Sequence, residues 1–245
     1  MVSVTAEKSV HALLGSVSIA DCSLYASGHS GNSAKTVSQT AGLDAFETVS
    51  QQSGVTLLAA SGFADVKTEA VCQQDVLFCT AAGLMTGTGN QAFSPDKPMT
   101  RAMLVTVLWR SAGSPNEGTN GFTDVPADQW YTQAVAWAAQ NGIVNGVGNN
   151  KFDPDAKITR EQLAAVLYRY AGKVGMDVTA RADLKLFPDA GSVSAYATDA
   201  LSWCVANGIV NGTLEHGTAY LDPQGSATRA QVATLMSRYL KLTEA

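Results

Sequence analysis

Charge is scarce in this chain. Only 15% of its 245 residues are charged, and 16 Lys and Arg against 21 Asp and Glu leave a formal net charge of −5. Proteins that grip nucleic acid through its phosphates need a basic face, so nucleic acid is not an expected partner. A small anion is not excluded, because a few well-placed arginines suffice for one. Long apolar runs are missing too, and no stretch reaches the length of a membrane span. Apolar residues nevertheless make up 46% of the chain, enough for a sizeable core. At the amino terminus Glu7 and Lys8 cancel where an export signal would be basic, so no such signal is evident.

Catalytic and metal-binding patterns are equally hard to find. The three histidines (His11, His29 and His216) lie outside the repeated pattern described below, and no Ser-His-Asp, Cys-His or phosphate-loop arrangement occurs. A hydrolase acting on sugars would need a paired acid and base in a cleft. The four cysteines (Cys22, Cys72, Cys79 and Cys204) follow no metal spacing. Cys72 and Cys79 stand two helical turns apart, about 10 Å, too far to bridge. Asp153-Pro-Asp155 lacks the third oxygen ligand, the glycine and the closing glutamate of a calcium loop. The expectation is a non-enzyme with no cofactor and no metal.

What the chain does have is repetition. A shift of 59 residues lays Phe63-Ala-Asp-Val66 on Phe122-Thr-Asp-Val125 and Gly83-Leu-Met-Thr-Gly87 on Gly142-Ile-Val-Asn-Gly146. The same shift lays Phe93-Ser-Pro-Asp96 on Phe152-Asp-Pro-Asp155 and Thr100-Arg101 on Thr159-Arg160. A third copy keeps the order with small insertions: Phe187-Pro-Asp189, Trp203, Asn207-Gly-Ile-Val-Asn-Gly212, Leu221-Asp-Pro223 and Thr228-Arg229. Four landmarks in one order, three times, define a repeat protein.

Each copy reads as two helices joined by a turn-rich loop, so the fold class is mainly α. In copy two the region of Asp124 and Asp128 supplies helix-start signals before Trp130–Ala139, and Asn141-Gly142 ends that helix. The loop Gly146–Asp155 is too rich in turn formers to be helical. A second helix opens at Thr159, and Thr159 with Gln162, like Thr228 with Gln231, has capping-box spacing; copy one has Met103 there. One such helix pair cannot bury its own apolar face, so the copies must pack on each other. The boundaries expected are 62–113, 121–172 and 186–241. Residues 1–61 are Ser/Ala-rich and read as partly ordered at best, with a short helix allowed by the spacing of Val10, Leu13, Leu14 and Val17.

The string Phe122-Thr-Asp-Val, Trp130-Tyr, Ala-Val-Ala-Trp-Ala, Asn-Gly-Ile-Val-Asn-Gly, Phe152-Asp-Pro-Asp and Ile158-Thr-Arg-Glu-Gln162 resembles the S-layer homology (SLH) motif. The resemblance covers about residues 62–241. Copy one departs from it at Val71, where copy two has Trp130. It implies three helix-loop-helix SLH repeats in a pseudo-threefold arrangement around a central three-helix bundle. It also implies an extracellular protein of the bacterial cell surface that binds secondary cell-wall polysaccharide, often pyruvylated, in grooves between repeats. An arginine of the Thr-Arg pair is implied as a groove residue. The alternative is a non-enzymatic scaffold or host-facing adhesin in which the repeats provide structure alone. The sequence does not indicate an oligomeric state.

The physics of that pair supports a binding role. First-turn positions of a helix favour acids, yet Arg101, Arg160 and Arg229 stand directly after the N-cap in all three copies. A guanidinium beside free backbone N–H groups makes a cradle for the carboxylate that a pyruvate ketal carries. The competing reading is a salt bridge to a repeat aspartate that locks the loop. Trp130 and its counterpart Tyr196 are the candidates for stacking on sugar. Asp65, Asp124 and Asp189 read as caps or loop braces as readily as ligand contacts. Gly87, Gly146 and Gly212 suit a turn and also the close approach of a sugar. The same-copy aromatics rank Arg160 and Arg229 above Arg101. Trp137, Trp203, Phe78 and Trp109 read as core, and Cys79 and Cys204 as buried free thiols.

Overall fold

The computed structural model describes residues 2–5, 24–28, 35–37, 55–59, 63–67, 70–116 and 119–242. They fall into two compact units, residues 1–82 with 86–94 and residues 83–85 with 95–245. The described residues are mainly helical, with six α-helices and little strand.

The first unit contains a four-stranded sheet of order β1-β4-β2-β3, from β1 (Val2–Thr5), β2 (Leu24–Gly28), β3 (Lys35–Val37) and β4 (Val55–Ala59). β4 runs antiparallel to both β1 and β2, with Ser3 opposite Leu58 and Ala26 opposite Leu57. The sequence pattern announces no strand here. These strands are short, and β1 pairs with β4 more than fifty residues away and with β2 about twenty residues away, so neither length nor local pattern announces them. The helix allowed near Val10–Val17 lies outside the described residues. The unit continues with α1 (Gln73–Ala81), which buries Val76 and Cys79, and with a tight loop closed by Thr88 N–H donating to Ala92 O.

The second unit holds α2 (Arg101–Ser111), α3 (Thr132–Gln140), α4 (Arg160–Lys173), α5 (Thr198–Ala206) and α6 (Arg229–Leu242). α3 begins two residues later than the sequence suggests, and no side chain caps it. Thr132 explains this: its hydroxyl donates to Pro126 O and accepts from Gln129 N–H, which keeps Trp130 and Tyr131 in the preceding turn. Its end is as expected, with Gly142 in the left-handed region at φ +68° and Ile143 N–H reaching back to Ala138 O. The capping boxes at Thr159/Gln162 and Thr228/Gln231 are formed, and copy one keeps the threonine half alone, Met103 N–H on Thr100 Oγ1. The insertion in copy three is a two-stranded ribbon, β5 (Thr213–Glu215) with β6 (Thr218–Tyr220).

Helices pair across copies. α2 packs on α3, and α4 packs on α5, so the second helix of one copy covers the first helix of the next. The core is built on Trp203, Tyr239, Phe152, Leu104, Leu108, Leu163 and Leu167, each under 2% exposed. Cys204 is a buried free thiol, Cys79 is buried, and Cys72 is half-buried. Trp137 is buried, while Trp109 and Phe78 are half-buried.

The segments just before α2, α4 and α6 close into a ring of backbone hydrogen bonds. Ile158 N–H donates to Met99 O, Ala227 N–H to Ile158 O, and Met99 N–H to Ala227 O, each at 2.9 Å. All three residues are buried, so no water competes for these groups. Among the described residues no helix is long and apolar enough to cross a membrane.

Replacing Ala227 by Pro removes one ring donor and strands the buried Ile158 carbonyl, at a cost of about 1–3 kcal/mol. Urea unfolding followed by tryptophan fluorescence should place Ala227→Pro well below Ala227→Gly, which keeps the donor. Equal stabilities would show that the ring bonds do not hold the copies together.

Candidate functional site

The site is built from an aspartate upward. Asp124 accepts from the N–H groups of Phe152 and Asp153, at 2.8 Å each. Asp189 does the same for Leu221 and Asp222, and Asp65 for Phe93 and Ser94. In each copy the second braced residue is left-handed: Ser94 at φ +58°, Asp153 at +58° and Asp222 at +46°. A non-glycine residue there costs roughly 1–2 kcal/mol, and the charge-assisted bonds to the aspartate hold it in place. The glycines complete the loop. A Cβ on Gly146 would lie 2.7 Å from the Phe122 ring and 2.5 Å from Lys151 O, and one on Gly87 would meet Phe63 at 2.7 Å. Gly212, at φ +80°, is similarly crowded by Phe187. Packing inside the loop therefore demands these glycines whether or not a sugar approaches.

The kinked loops aim carbonyls at the arginines of the preceding copy. Arg101 Nε donates to Phe152 O at 2.8 Å and its Nη2 to Asn145 O at 3.2 Å, with the guanidinium carbon 4.7 Å from the Phe152 ring centre. Arg160 Nε donates to Leu221 O at 2.7 Å. Asp153 and Asp124 lie near Arg101, and Asp222 and Asp189 near Arg160, close enough to favour the charged form. Burial is the larger effect and lowers both arginines from their ordinary pKa, without threatening their charge. Arg101 and Arg160 thus lock loops, as the competing reading has it, but among the described residues they do so through carbonyls rather than through an aspartate salt bridge.

At the helix N-termini the expected cradle of free N–H groups is closed. Arg101 and Ala102 N–H donate to Ala156 O and Pro154 O, Arg160 and Glu161 N–H to Gly225 O and Pro223 O, and Arg229 and Ala230 N–H to Lys97 O and Pro95 O. The threonine caps take the next amide in each copy. A buried amide must find an acceptor, and the neighbouring copy's loop supplies it.

Exposure also orders the arginines differently from the sequence. Arg160 and Arg229 are each 7% exposed, whereas Arg101 is half-buried. The sequence ranking paired each arginine with the aromatic of its own copy. Arg101 instead senses Tyr196, which comes from copy three. Trp130 and Tyr196 remain on the surface, 58% and 55% exposed, with Trp130 edge-on to Tyr131. The structure brings together Arg101, Asp124 and Gly146 around one loop, and Arg160, Asp189 and Gly212 around another.

Glu161 went unnoticed in the sequence. It is 2% exposed, and its carboxylate accepts from Ser194 N–H, Ser194 Oγ and Tyr196 Oη. Burial alone would raise its pKa; the bonds from Ser194 and Tyr196, with Gln224, outweigh this and hold it below the ordinary carboxylate value. The signal was present in the repeat alignment, where Ala102 and Ala230 stand at the same place.

Known proteins share this pattern. The S-layer homology domain matches residues 62–102, 121–164 and 186–233. The Surface-layer 125 kDa protein of Lysinibacillus sphaericus is 33% identical over 164 residues, covering 67% of this chain and 14% of that protein. The S-layer protein of Bacillus thuringiensis subsp. finitimus is 31% identical over 117 residues, 46% of this chain and 14% of that protein. An endoglucanase of Bacillus sp. (strain KSM-635) is 28% identical over 157 residues, 64% of this chain and 16% of that protein. The chain therefore spans less than a fifth of the length of these relatives.

Asp124, like Glu161, sits below its ordinary pKa; burial pushes it up, and the Phe152 and Asp153 amides and Lys151 pull it further down. A depressed carboxylate stabilises the fold fully above its unfolded value, about 3.9 for Asp and 4.3 for Glu, and loses that effect as pH falls through the folded value. Asp124→Asn should cost about 1 kcal/mol at pH 7 and flatten the fall in thermal midpoint between pH 5 and pH 3. An unaltered acid limb would show that the brace does not depend on charge.

Proposed function

This chain belongs to the S-layer homology domain family, and from that premise we propose that it attaches a surface protein non-covalently to the bacterial cell wall. The ligand we assign is secondary cell-wall polysaccharide, bound in grooves between repeats through its pyruvyl carboxylates. Residues 62–113, 121–172 and 186–241 are the proposed repeats, in a pseudo-threefold arrangement around a central three-helix bundle; the closed ring through Met99, Ile158 and Ala227 supports that symmetry. The names of the surface-layer relatives support an extracellular, wall-bound location. The endoglucanase shares only 16% of its length with this chain, so its activity is not carried over, and we assign no catalysis here.

One observation carries the reading. Arg101 is held flat between Phe152 O, Asn145 O and the Phe152 ring, yet keeps part of its guanidinium at the surface. A planar cation fixed in this way, with no carboxylate bonded to it among the described residues, suits a carboxylate arriving from solution. A second reading, a scaffold or adhesin in which the Thr-Arg pairs are structural, is favoured by Arg160, which lies buried against Leu221 O.

Co-sedimentation with purified cell walls separates the two. The unmodified chain should pellet with walls that retain their polysaccharide and stay soluble with stripped walls. Arg101→Ala should weaken capture about tenfold, near 1.4 kcal/mol, with unchanged circular dichroism. Arg160→Ala should lower thermal stability as well, because it strands a buried carbonyl. Equal capture by stripped and intact walls would favour the scaffold.

A further inference from the structure

The surroundings of the three arginines differ in one respect that the repeat pattern does not predict. At the place after the arginine, copies one and three have Ala102 and Ala230, and copy two has Glu161. This glutamate spans two copies. Its amide donates to Pro223 O, and its buried carboxylate holds Ser194 and Tyr196 just ahead of α5. Gln224 closes the cluster by donating to Ser194 Oγ at 3.2 Å.

A carboxylate can only accept, so the Tyr196 hydroxyl must be the donor in its 2.8 Å bond to Glu161 Oε1. Burial first, then the Glu161 bond and charge, push Tyr196 up to about 12, so it keeps its proton at any physiological pH. The tyrosine oxygen is left with lone pairs for an outside donor, on a ring that is 55% exposed. Arg101 lies within electrostatic reach of that ring. Its Nε and Nη2 are bonded to Phe152 O and Asn145 O, and Nη1 has no partner among the described residues. This surface therefore presents a cationic donor and, within electrostatic reach, a fixed neutral acceptor on an aromatic ring. Arg160, 7% exposed, has no comparable opening.

We infer that Glu161 is a positioning residue, fixing the Tyr196 hydroxyl within electrostatic reach of Arg101 so that this surface takes an acidic sugar: carboxylate to Arg101, ring hydroxyl to the Tyr196 oxygen. This rests on the polysaccharide-binding reading above and adds to it which groove is used and what orients it. Glu161 need not touch the ligand.

Calorimetric titration of the full chain with a 4,6-O-pyruvylated methyl hexopyranoside, and with released wall polysaccharide, tests this. Tyr196→Phe keeps the surface ring and should weaken both ligands about tenfold. Glu161→Gln should weaken them similarly, and the double variant should bind no worse than either single one, because both changes remove the same arrangement. Losses that add would make Glu161 merely structural and overturn the inference. Unchanged affinity in Tyr196→Phe, with the unmodified chain binding normally, would also overturn it while leaving the wall-binding reading intact. Failure of the unmodified chain to bind either ligand would remove both. Thermal midpoints of Tyr196→Phe within a degree or two of the unmodified chain keep the comparison free of unfolding.

Discussion

A helix cannot begin in a dry interior unless something accepts from its first amides. That requirement organises the repeat unit. At α2, α4 and α6 the first two N–H groups are met by carbonyls from another copy's loop, and the third by the threonine cap. A copy standing alone would leave these amides, and the opposing carbonyls, to water. The copies are thereby coupled through backbone groups that every residue type possesses. This explains how 28–33% identity to surface-layer and glucanase relatives can coexist with a shared pattern.

The loop that provides those carbonyls is held in a costly shape. Asp124 and Asp189 each fix two successive amides, the second on a left-handed residue, and the same arrangement recurs at Asp65. That kink leaves the Phe152 and Leu221 carbonyls facing Arg101 and Arg160. Aspartate, left-handed residue and arginine thus form one mechanical chain. The arginine stabilises the loop and at the same time is stretched flat by it, so bracing and binding are not alternatives at Arg101. At Arg160, where burial is nearly complete, bracing dominates.

Asymmetry within the repeat decides chemistry. Copy two's Glu161 ties down copy three's Tyr196, and the ribbon Thr213–Tyr220 lengthens copy three's loop alone. Neither feature belongs to the common pattern. A threefold sequence pattern therefore does not give the three arginines equal surroundings, and the residues that break the pattern are the ones that distinguish them.

By itself the sequence determined the repeat, the helix-loop-helix order, the glycine helix ends and the capping boxes at Thr159 and Thr228. Each is a local matter of spacing and backbone preference, readable within about ten residues. It also marked Arg101, Arg160 and Arg229 as residues lacking a local reason. Tertiary structure alone decided what that reason is. The carbonyls that receive Arg101 and Arg160 lie 51 and 61 residues away, the first helix amides are capped from a neighbouring copy, and Tyr196 lies within electrostatic reach of an arginine two copies earlier. The sheet in residues 2–59 was hidden likewise, because strand pairing joins distant segments. Local propensity fixes where helices start and stop; which buried polar group answers which depends on chain segments that meet only when the fold closes.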